Sequence, residues 1–503
     1  MRATLTTFPL LVQLSLIACA LMIAPLTHAI WLQDWLTARA FFYHCLFFAV
    51  VTIMVGLATS ARKKRGGARR PLVALAGAYA LLPLLLAAPV SYVVGPLTFM
   101  QAYFEMLSCL TTTGATVFED PGAIPEPLHL WRAIVSWAGG FLILVAAVAI
   151  LEPMQLGGFE LQAAISPRDA QRRKSMGGSA EANERLRHSA LLIGPAYILL
   201  TALLTLGLMI AGDRALVGSI HAMSVMSTSG ITPLDSFADA SSGYLGEVLV
   251  FLFLLGALSR RSTTILNRRE RRVNLRDPEY GIAFVCIIGI SALLFLRHFL
   301  GAVEFDDQEN IQGALAALWG SLFNVLSFVS TTGFDSRDWA LARDWSGLPT
   351  PGIILLSLCL LGGGIATTAG GVKLLRAYAL YKHGVREMRR LIHPSSVGGS
   401  GITARRIRKE GALIAWIFLM LFLLGISLCL LLLTALGQGF DDALALSVAA
   451  LTNTGPAATL LDADVSYAAL STAEQLVLGI GMVFGRLEAL VFVSLLNPAA
   501  WRR

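Results

Sequence analysis

Apolar residues along this 503-residue chain come in runs of two lengths, and the order in which they come is regular. A run of about 20 residues can cross a hydrocarbon core as a helix, whereas one of about 10 to 14 enters and leaves by the same face. A leading pair of long runs occupies residues 8 to 30 and 40 to 60. After it one order recurs: long run, short run, glycine-containing loop, long run. In the first unit these are 71–94, 97–110, 111–117 and 130–151, and in the second 188–211, 215–227, 228–232 and 244–266. The third has 280–301, 313–329, 330–335 and 351–381, and the fourth 411–436, 441–451, 452–457 and 473–497. The pattern predicts an all-α polytopic membrane protein with roughly ten spanning helices. The chain divides into an extra N-terminal helix pair (1–66) and four repeats (67–165, 166–274, 275–395 and 396–503). Because a re-entrant loop cannot be buried by its own unit, four such units are expected to close around one central pore.

Composition agrees: 56% hydrophobic residues, 14% charged and a mean hydropathy of +0.69 leave too little polar surface for a soluble globule of this size. The net charge of +7 does not point to nucleic acid, because the basic residues are gathered between apolar runs rather than on one water-exposed face with aromatics. Arg62 to Arg70, Arg168 to Arg187, Arg260 to Arg276 and Lys382 to Lys409 bound four basic connections, which the positive-inside rule makes cytoplasmic. With Arg502 and Arg503, they put both termini there too. Acids such as Glu119, Asp120, Glu126, Asp235, Asp239, Glu304, Asp306, Asp335 and Asp338 fall in the opposite connections, facing outward. Lipid headgroups are the expected partners of the basic connections. The first run follows Arg2 like a signal peptide, but its length and the Trp31 and Trp35 anchors make it a spanning helix. The six cysteines lie in apolar stretches without CxxC or metal spacing and are expected to be buried hydrophobes.

The four loops align as Thr111-Thr112-Thr113-Gly114, Ser227-Thr228-Ser229-Gly230, Ser330-Thr331-Thr332-Gly333 and Thr452-Asn453-Thr454-Gly455. One such tetrapeptide reads equally as an ordinary helix C-cap; four in register, each after a short apolar run, read as a filter. Carbonyls that ligate a dehydrated cation require unusual backbone conformations, which glycine adopts without steric cost. The expected oxygen donors are Thr112, Thr113, Thr228, Ser229, Thr331, Thr332, Asn453 and Thr454, and oxygen-only ligation suits an alkali cation. A short helix ending at each loop directs the negative end of its dipole at the ion. Asn453 and Pro456 make the ring only pseudo-symmetric.

These loops and repeats resemble the Trk, Ktr and HKT superfamily of potassium and sodium transporters, and within it the TrkH type, over nearly the whole chain. The resemblance implies potassium uptake across the bacterial cytoplasmic membrane, with Gly114, Gly230, Gly333 and Gly455 favouring potassium where a Ser in plant relatives accompanies sodium permeation. Potassium is then the transported ion and no cofactor is expected in this chain. A homodimer and a separate nucleotide-binding cytosolic subunit of TrkA type are also implied; the chain itself has no Rossmann fingerprint.

The stretch Gly362-Gly363-Gly364-Ile365-Ala366-Thr367-Thr368-Ala369-Gly370-Gly371, followed by Val372 and Lys373, is too rich in glycine for an unperturbed helix. It is not a P-loop, since Val372 separates Gly371 from Lys373 and no Ser or Thr follows. By the resemblance it is an intramembrane gate loop; the alternative is close helix packing through small residues. Arg486, in Phe484-Gly485-Arg486-Leu487-Glu488, matches a Gly-Arg-Leu-Glu motif of the TrkH type. It is expected to project beneath the filter as an electrostatic barrier, the alternative being an arginine that reaches a cytoplasmic carboxylate. Glu488, two residues on, lies on another helix face. His221 is expected to make a structural hydrogen bond, and Asn324 and Asp441 to cap and pack. A sodium- or proton-coupled symporter of the same superfamily is the alternative function. No HExxH, GxSxG or paired-acid site suggests an enzyme.

Overall fold

The computed structural model describes residues 8–60, 70–153, 182–259, 278–301, 311–348, 350–393, 411–461 and 465–488. All regular elements among them are helical. The expected boundaries between units, at 66/67, 165/166, 274/275 and 395/396, lie outside these residues, as do most of the basic connections and the closing Arg502 and Arg503.

The leading runs form α1 (Leu10–Leu21), α2 (Ile23–Trp31) and α3 (Trp35–Ser60). The first is one apolar span in two pieces, since Pro25 cannot supply an amide to the turn joining α1 and α2. The first repeat comprises α4 (Arg70–Val93), the short α5 (Phe99–Leu110) and α6 (Glu126–Ala146), continued by a π-turn to Leu151. The second comprises α7 (Ala182–Ala211), α8 (Ala215–Ser227) and α9 (Gly243–Leu254). In the third, α10 (Pro278–Gly301) and α11 (Ile311–Val329) are followed by α12 (Trp339–Ser346), α13 (Gly352–Leu361) and α14 (Leu374–Ile392). The fourth is α15 (Ala412–Ala435), α16 (Phe440–Thr452) and α17 (Thr472–Leu487).

Eight helices among the described residues are long and apolar enough to cross a membrane, fewer than the ten expected from the runs. The discrepancy sits in the last long run of repeats two to four. The described part of the run at 244–266 is helical to Leu258, that at 351–381 is split into α13 and α14, and the described part of 473–497 stops being helical at Leu487. Conversely, Gln312–Val329 within α11 meets the length and composition of a span, although it stands where the other repeats place a short pore helix. Apolar content alone does not separate a short helix buried in protein from one that crosses lipid.

Burial marks two of the short helices. α16 presents buried residues all round, from Ala443 to Thr452, and α5 buries Ala102 and every residue from Phe104 to Leu110. The long helices expose apolar side chains, among them Phe47, Leu57, Ile210, Leu293 and Leu431, as a lipid-facing shell requires. Thr98 starts α5 with a capping box to Gln101, and Ser471 starts α17 with one to Glu474, so both satisfy their first amides by local sequence.

The repeats close on one another in chain order. α6 of the first packs on the pore helix α8 of the second, α9 on α11, α13 on α16, and α17 of the fourth returns to α5 of the first. The extra pair packs outside this circuit: α1 and α3 lie against α4, and α2 against α6.

Candidate functional site

Each short helix ends in the same way. The amides of Thr113, Ser229, Thr332 and Thr454 reach back to the carbonyls of Ser108, Ser224, Ser327 and Ala449, at 2.8–3.0 Å. The amides one residue earlier bond to Cys109, Val225, Phe328 and Ala450. This Schellman closure places Thr112, Thr228, Thr331 and Asn453 in the left-handed region, with φ between 52° and 59°. Sequence pointed to the glycines for the unusual conformation, but it begins two residues before them. Asn adopts the left-handed turn readily, whereas a β-branched Thr there costs about 1–2 kcal/mol. Three of four repeats carry that strain, and the surrounding packing maintains it.

The glycines then make the ring. Gly114, Gly230 and Gly333 also have positive φ, from 69° to 77°, whereas Gly455 does not and begins a 3-10 turn, Gly455–Leu461. A Cβ on Gly114 would overlap the Ser229 carbonyl, and one on Gly230 the Thr332 carbonyl. One on Gly333 would strike the Pro456 ring, and one on Gly455 the backbone at Gly114 and Ala115. Each glycine thus abuts the loop of the next repeat, and the fourth abuts the first. The amide of Gly455 bonds to the Thr113 carbonyl at 2.5 Å, tying the seam.

The side-chain oxygens are less free than the sequence suggested. In every loop the hydroxyl of the third residue pairs with that of the first: Thr111 with Thr113 at 2.8 Å, Ser227 with Ser229 at 3.2 Å, Ser330 with Thr332 at 3.0 Å and Thr452 with Thr454 at 3.2 Å. Thr228 Oγ1 donates to the Ser227 carbonyl, and Thr331 Oγ1 accepts the Gly370 amide. Asn453 Nδ2 donates to Thr113 Oγ1 at 3.0 Å and to the Met482 carbonyl at 2.9 Å, so the departure from Thr in the fourth loop braces its junction with the first. Thr112 Oγ1 has no hydrogen-bond partner among the described residues. Most of these hydroxyls therefore already have a partner inside the protein, and the backbone carbonyls of the turns stand beside them.

Beneath the loops, α13 stops at Leu361 and the chain runs without helix from Gly362 to Lys373. Gly362 and Gly371 have positive φ and pack closely against each other, so the segment folds back on itself. It touches several repeats. The Gly364 amide bonds to the Ala257 carbonyl, Thr368 Oγ1 donates to the Met226 carbonyl, and the Gly370 amide bonds to Thr331 Oγ1 at 2.8 Å. A Cβ on Gly370 would overlap the Thr452 carbonyl, and ones on Gly363 and Gly364 the Ala257 and Leu258 carbonyls. Thr367 Oγ1 donates to the Gly364 carbonyl, and the Ile365 amide bonds to Glu279. Lys373, left-handed at φ 82°, is buried and donates to the Ala369 carbonyl.

Arg486 projects into a cavity shared with Thr367, Gly370 and Lys373, and its Nη1 donates to the Thr368 carbonyl at 2.5 Å. Among the described residues its hydrogen bond is to the glycine-rich segment, not to a carboxylate. Glu488, at φ 64° just past α17, bonds instead to Arg376 at 2.7 Å, and Arg376 stacks on Phe418 at 3.7 Å. This buried pair fixes the start of α14 to the end of α17. Arg376 was not legible in the sequence, since its place three residues after Lys373 belongs to no motif.

A buried ion pair behind the first loop was also missed. Arg132 Nε bonds to Glu105 Oε1 at 2.7 Å, and Arg132 Nη2 to Thr116 at 2.9 Å. His221 makes the structural bond expected of it, to Thr232 at 3.0 Å, with Asp213 3.8 Å away. Asn324 bonds to Asp335 and to the Ser336 amide, a tertiary tie rather than a cap.

Four helix–loop–helix repeats of one chain, closed into a ring around one central pore, define a single-chain, multi-pass membrane transport protein. The family model of the TrkH cation transport proteins matches residues 284–498. The Trk system potassium uptake protein TrkH of Salmonella typhimurium is 30% identical over 416 residues, covering 81% of this chain and 80% of that protein. Its counterpart in Halomonas elongata is 31% identical over 436 residues, covering 85% and 83%. The crystal structure of the potassium transporter TrkH from Vibrio parahaemolyticus superposes with a TM-score of 0.81 at 24% identity, covering all of both chains. The chain belongs to the TrkH family, a family of transporters rather than enzymes.

Proposed function

We propose that this protein takes up potassium through the ring of four loops. The backbone carbonyls around Thr112, Thr113, Gly114, Thr228, Ser229, Gly230, Thr331, Thr332, Gly333, Asn453 and Thr454 form the filter, and Gly455 closes its ring. The observation that carries the reading is the closed order of glycine contacts, first loop to second, second to third, third to fourth and fourth to first, which puts the backbones of four left-handed turns side by side. Four helix C-termini converge there, and their dipoles favour a cation. The relatives' designation as potassium uptake proteins supports potassium as the ion.

The segment 362–373 is the gate. It is bonded to the filter turn through Thr331 and held from below by Arg486, whose charge opposes a cation in the same cavity. The protein works in the bacterial inner membrane with both termini cytoplasmic, as a homodimer, and a cytosolic nucleotide-binding subunit of TrkA type acts on the segment.

The test is cation flux into liposomes holding the purified chain, with potassium, rubidium, sodium and lithium compared, before and after shortening of 362–371. Potassium and rubidium flux that rises on shortening supports filter and gate. Equal sodium flux refutes the potassium filter, and shortening without effect refutes the gate.

A further inference from the structure

The loops are alike in backbone but are fastened from behind by different chemistry. Six residues before the first residue of each loop the pore helices carry Glu105, His221, Asn324 and Leu446. All four side chains are fully buried. Glu105 Oε2 accepts the amide of Val117 at 2.9 Å, and Asn324 Oδ1 accepts the amide of Ser336 at 2.8 Å. Val117 and Ser336 occupy the same place, three residues after the loop glycine, so one bond recurs with two acceptors. His221 reaches the neighbouring place in its own loop, Thr232 Oγ1. Arg132 completes the first anchor by holding Glu105 and Thr116 together.

Leu446 has no polar atom to offer the fourth loop. There Tyr467, from the segment leading into α17, donates its hydroxyl to the Gly455 carbonyl at 2.9 Å. This is the glycine that lacks positive φ and whose amide is bonded to Thr113. Both backbone groups of Gly455 are thus engaged inside the protein, while the other three glycines keep the left-handed turn.

We infer that Glu105 with Arg132, His221, Asn324 and Tyr467 are positioning residues that set potassium over sodium selectivity, by fixing the separation of the loop backbones. The fourth loop acts as the closing member of the ring, its glycine carbonyl held by Tyr467 rather than turned to the ion. This rests on the filter assignment above. A carbonyl ring discriminates cations by the distance and number of its oxygens, and an anchor bonded to the loop controls both. A loop released on its outer flank can close on a smaller ion, so loss of an anchor is expected to admit sodium.

The experiment uses the full chain in liposomes, with the segment 362–371 shortened so that flux is open, and measures the ratio of potassium to sodium flux. Asn324→Leu puts the fourth repeat's own residue into the third, and Tyr467→Phe removes one hydroxyl with the ring retained. Each is expected to lower the ratio about tenfold, a change of about 1.4 kcal/mol, with potassium flux persisting. Gly333→Ala is the reference. If Gly333→Ala lowers the ratio and neither anchor variant does, the anchors do not set selectivity and the inference falls while the filter stands. An equal loss of potassium and sodium flux in both anchor variants, with the chain still inserted, is a merely structural effect and also overturns it. If all three variants leave the ratio unchanged, the filter assignment itself is wrong.

Discussion

Glu488→Gln removes the charge that fastens α14 to α17, and its cost follows from the geometry. The pair is 2.7 Å apart and Arg376 is fully buried, so at an effective dielectric constant of about 20 the attraction is about 6 kcal/mol. Desolvation of both ions offsets much of this. Removal of one partner of such a pair nevertheless costs about 3–5 kcal/mol, because the remaining ion keeps its desolvation penalty. Here the penalty is sharpened by Lys373 and Arg486, which line the same cavity as Glu488. The neutral amide would leave the start of α14 less tied to the end of α17, and α14 begins directly after the glycine-rich segment. The expected result is a lower thermal midpoint of the purified chain in detergent, together with raised basal rubidium flux in liposomes. Arg376→Met combined with Glu488→Leu removes both ions, so it should recover most of the stability while leaving the flux raised. An unchanged midpoint and flux in Glu488→Gln, or a double variant as unstable as the single one, would refute this account.

Other substitutions probe the ring and the segment beneath it. Gly114→Val combines a positive φ with overlap on the Ser229 carbonyl, and should abolish cation flux while membrane abundance stays near that of the parent. Thr331→Val keeps the side-chain shape but orphans the buried Gly370 amide, at a cost of about 1–3 kcal/mol; it should raise basal flux, measured as rubidium uptake without any partner subunit. Thr112→Asn gives the first loop the residue that the fourth already uses in the left-handed turn, and potassium flux should survive it, whereas loss of flux would show that the turn is not what the position requires. Arg486→Gln keeps a polar side chain but removes the charge and the bond to the Thr368 carbonyl, so rubidium flux at fixed protein density should rise.

The number of repeats and the places of their loops follow from sequence alone, because an apolar run reports burial or lipid exposure directly and its length distinguishes most spans. The runs therefore fall close to the observed bounds of α4 to α8, α15 and α16, and Gly114, Gly230, Gly333 and Gly455 stand in register. Hydrophobicity does not tell a buried helix from a lipid-facing one, so length and composition alone do not decide which of α9, α11 and α13 cross the membrane. The left-handed backbone was expected at the glycines rather than at Thr112, Thr228, Thr331 and Asn453, since three of those residues are poor left-handed formers taken alone. The pairing of the first and third hydroxyls in each loop was equally out of reach, since it depends on rotamers and not on composition. The long-range ties were invisible because their members carry no motif and meet only in the folded chain: Glu105 with Arg132, Arg376 with Glu488, Tyr467 with Gly455. Local hydrophobicity and glycine placement determined that this chain builds four pore repeats. Only their closure in space decided which backbone groups face one another and which buried charges hold them there.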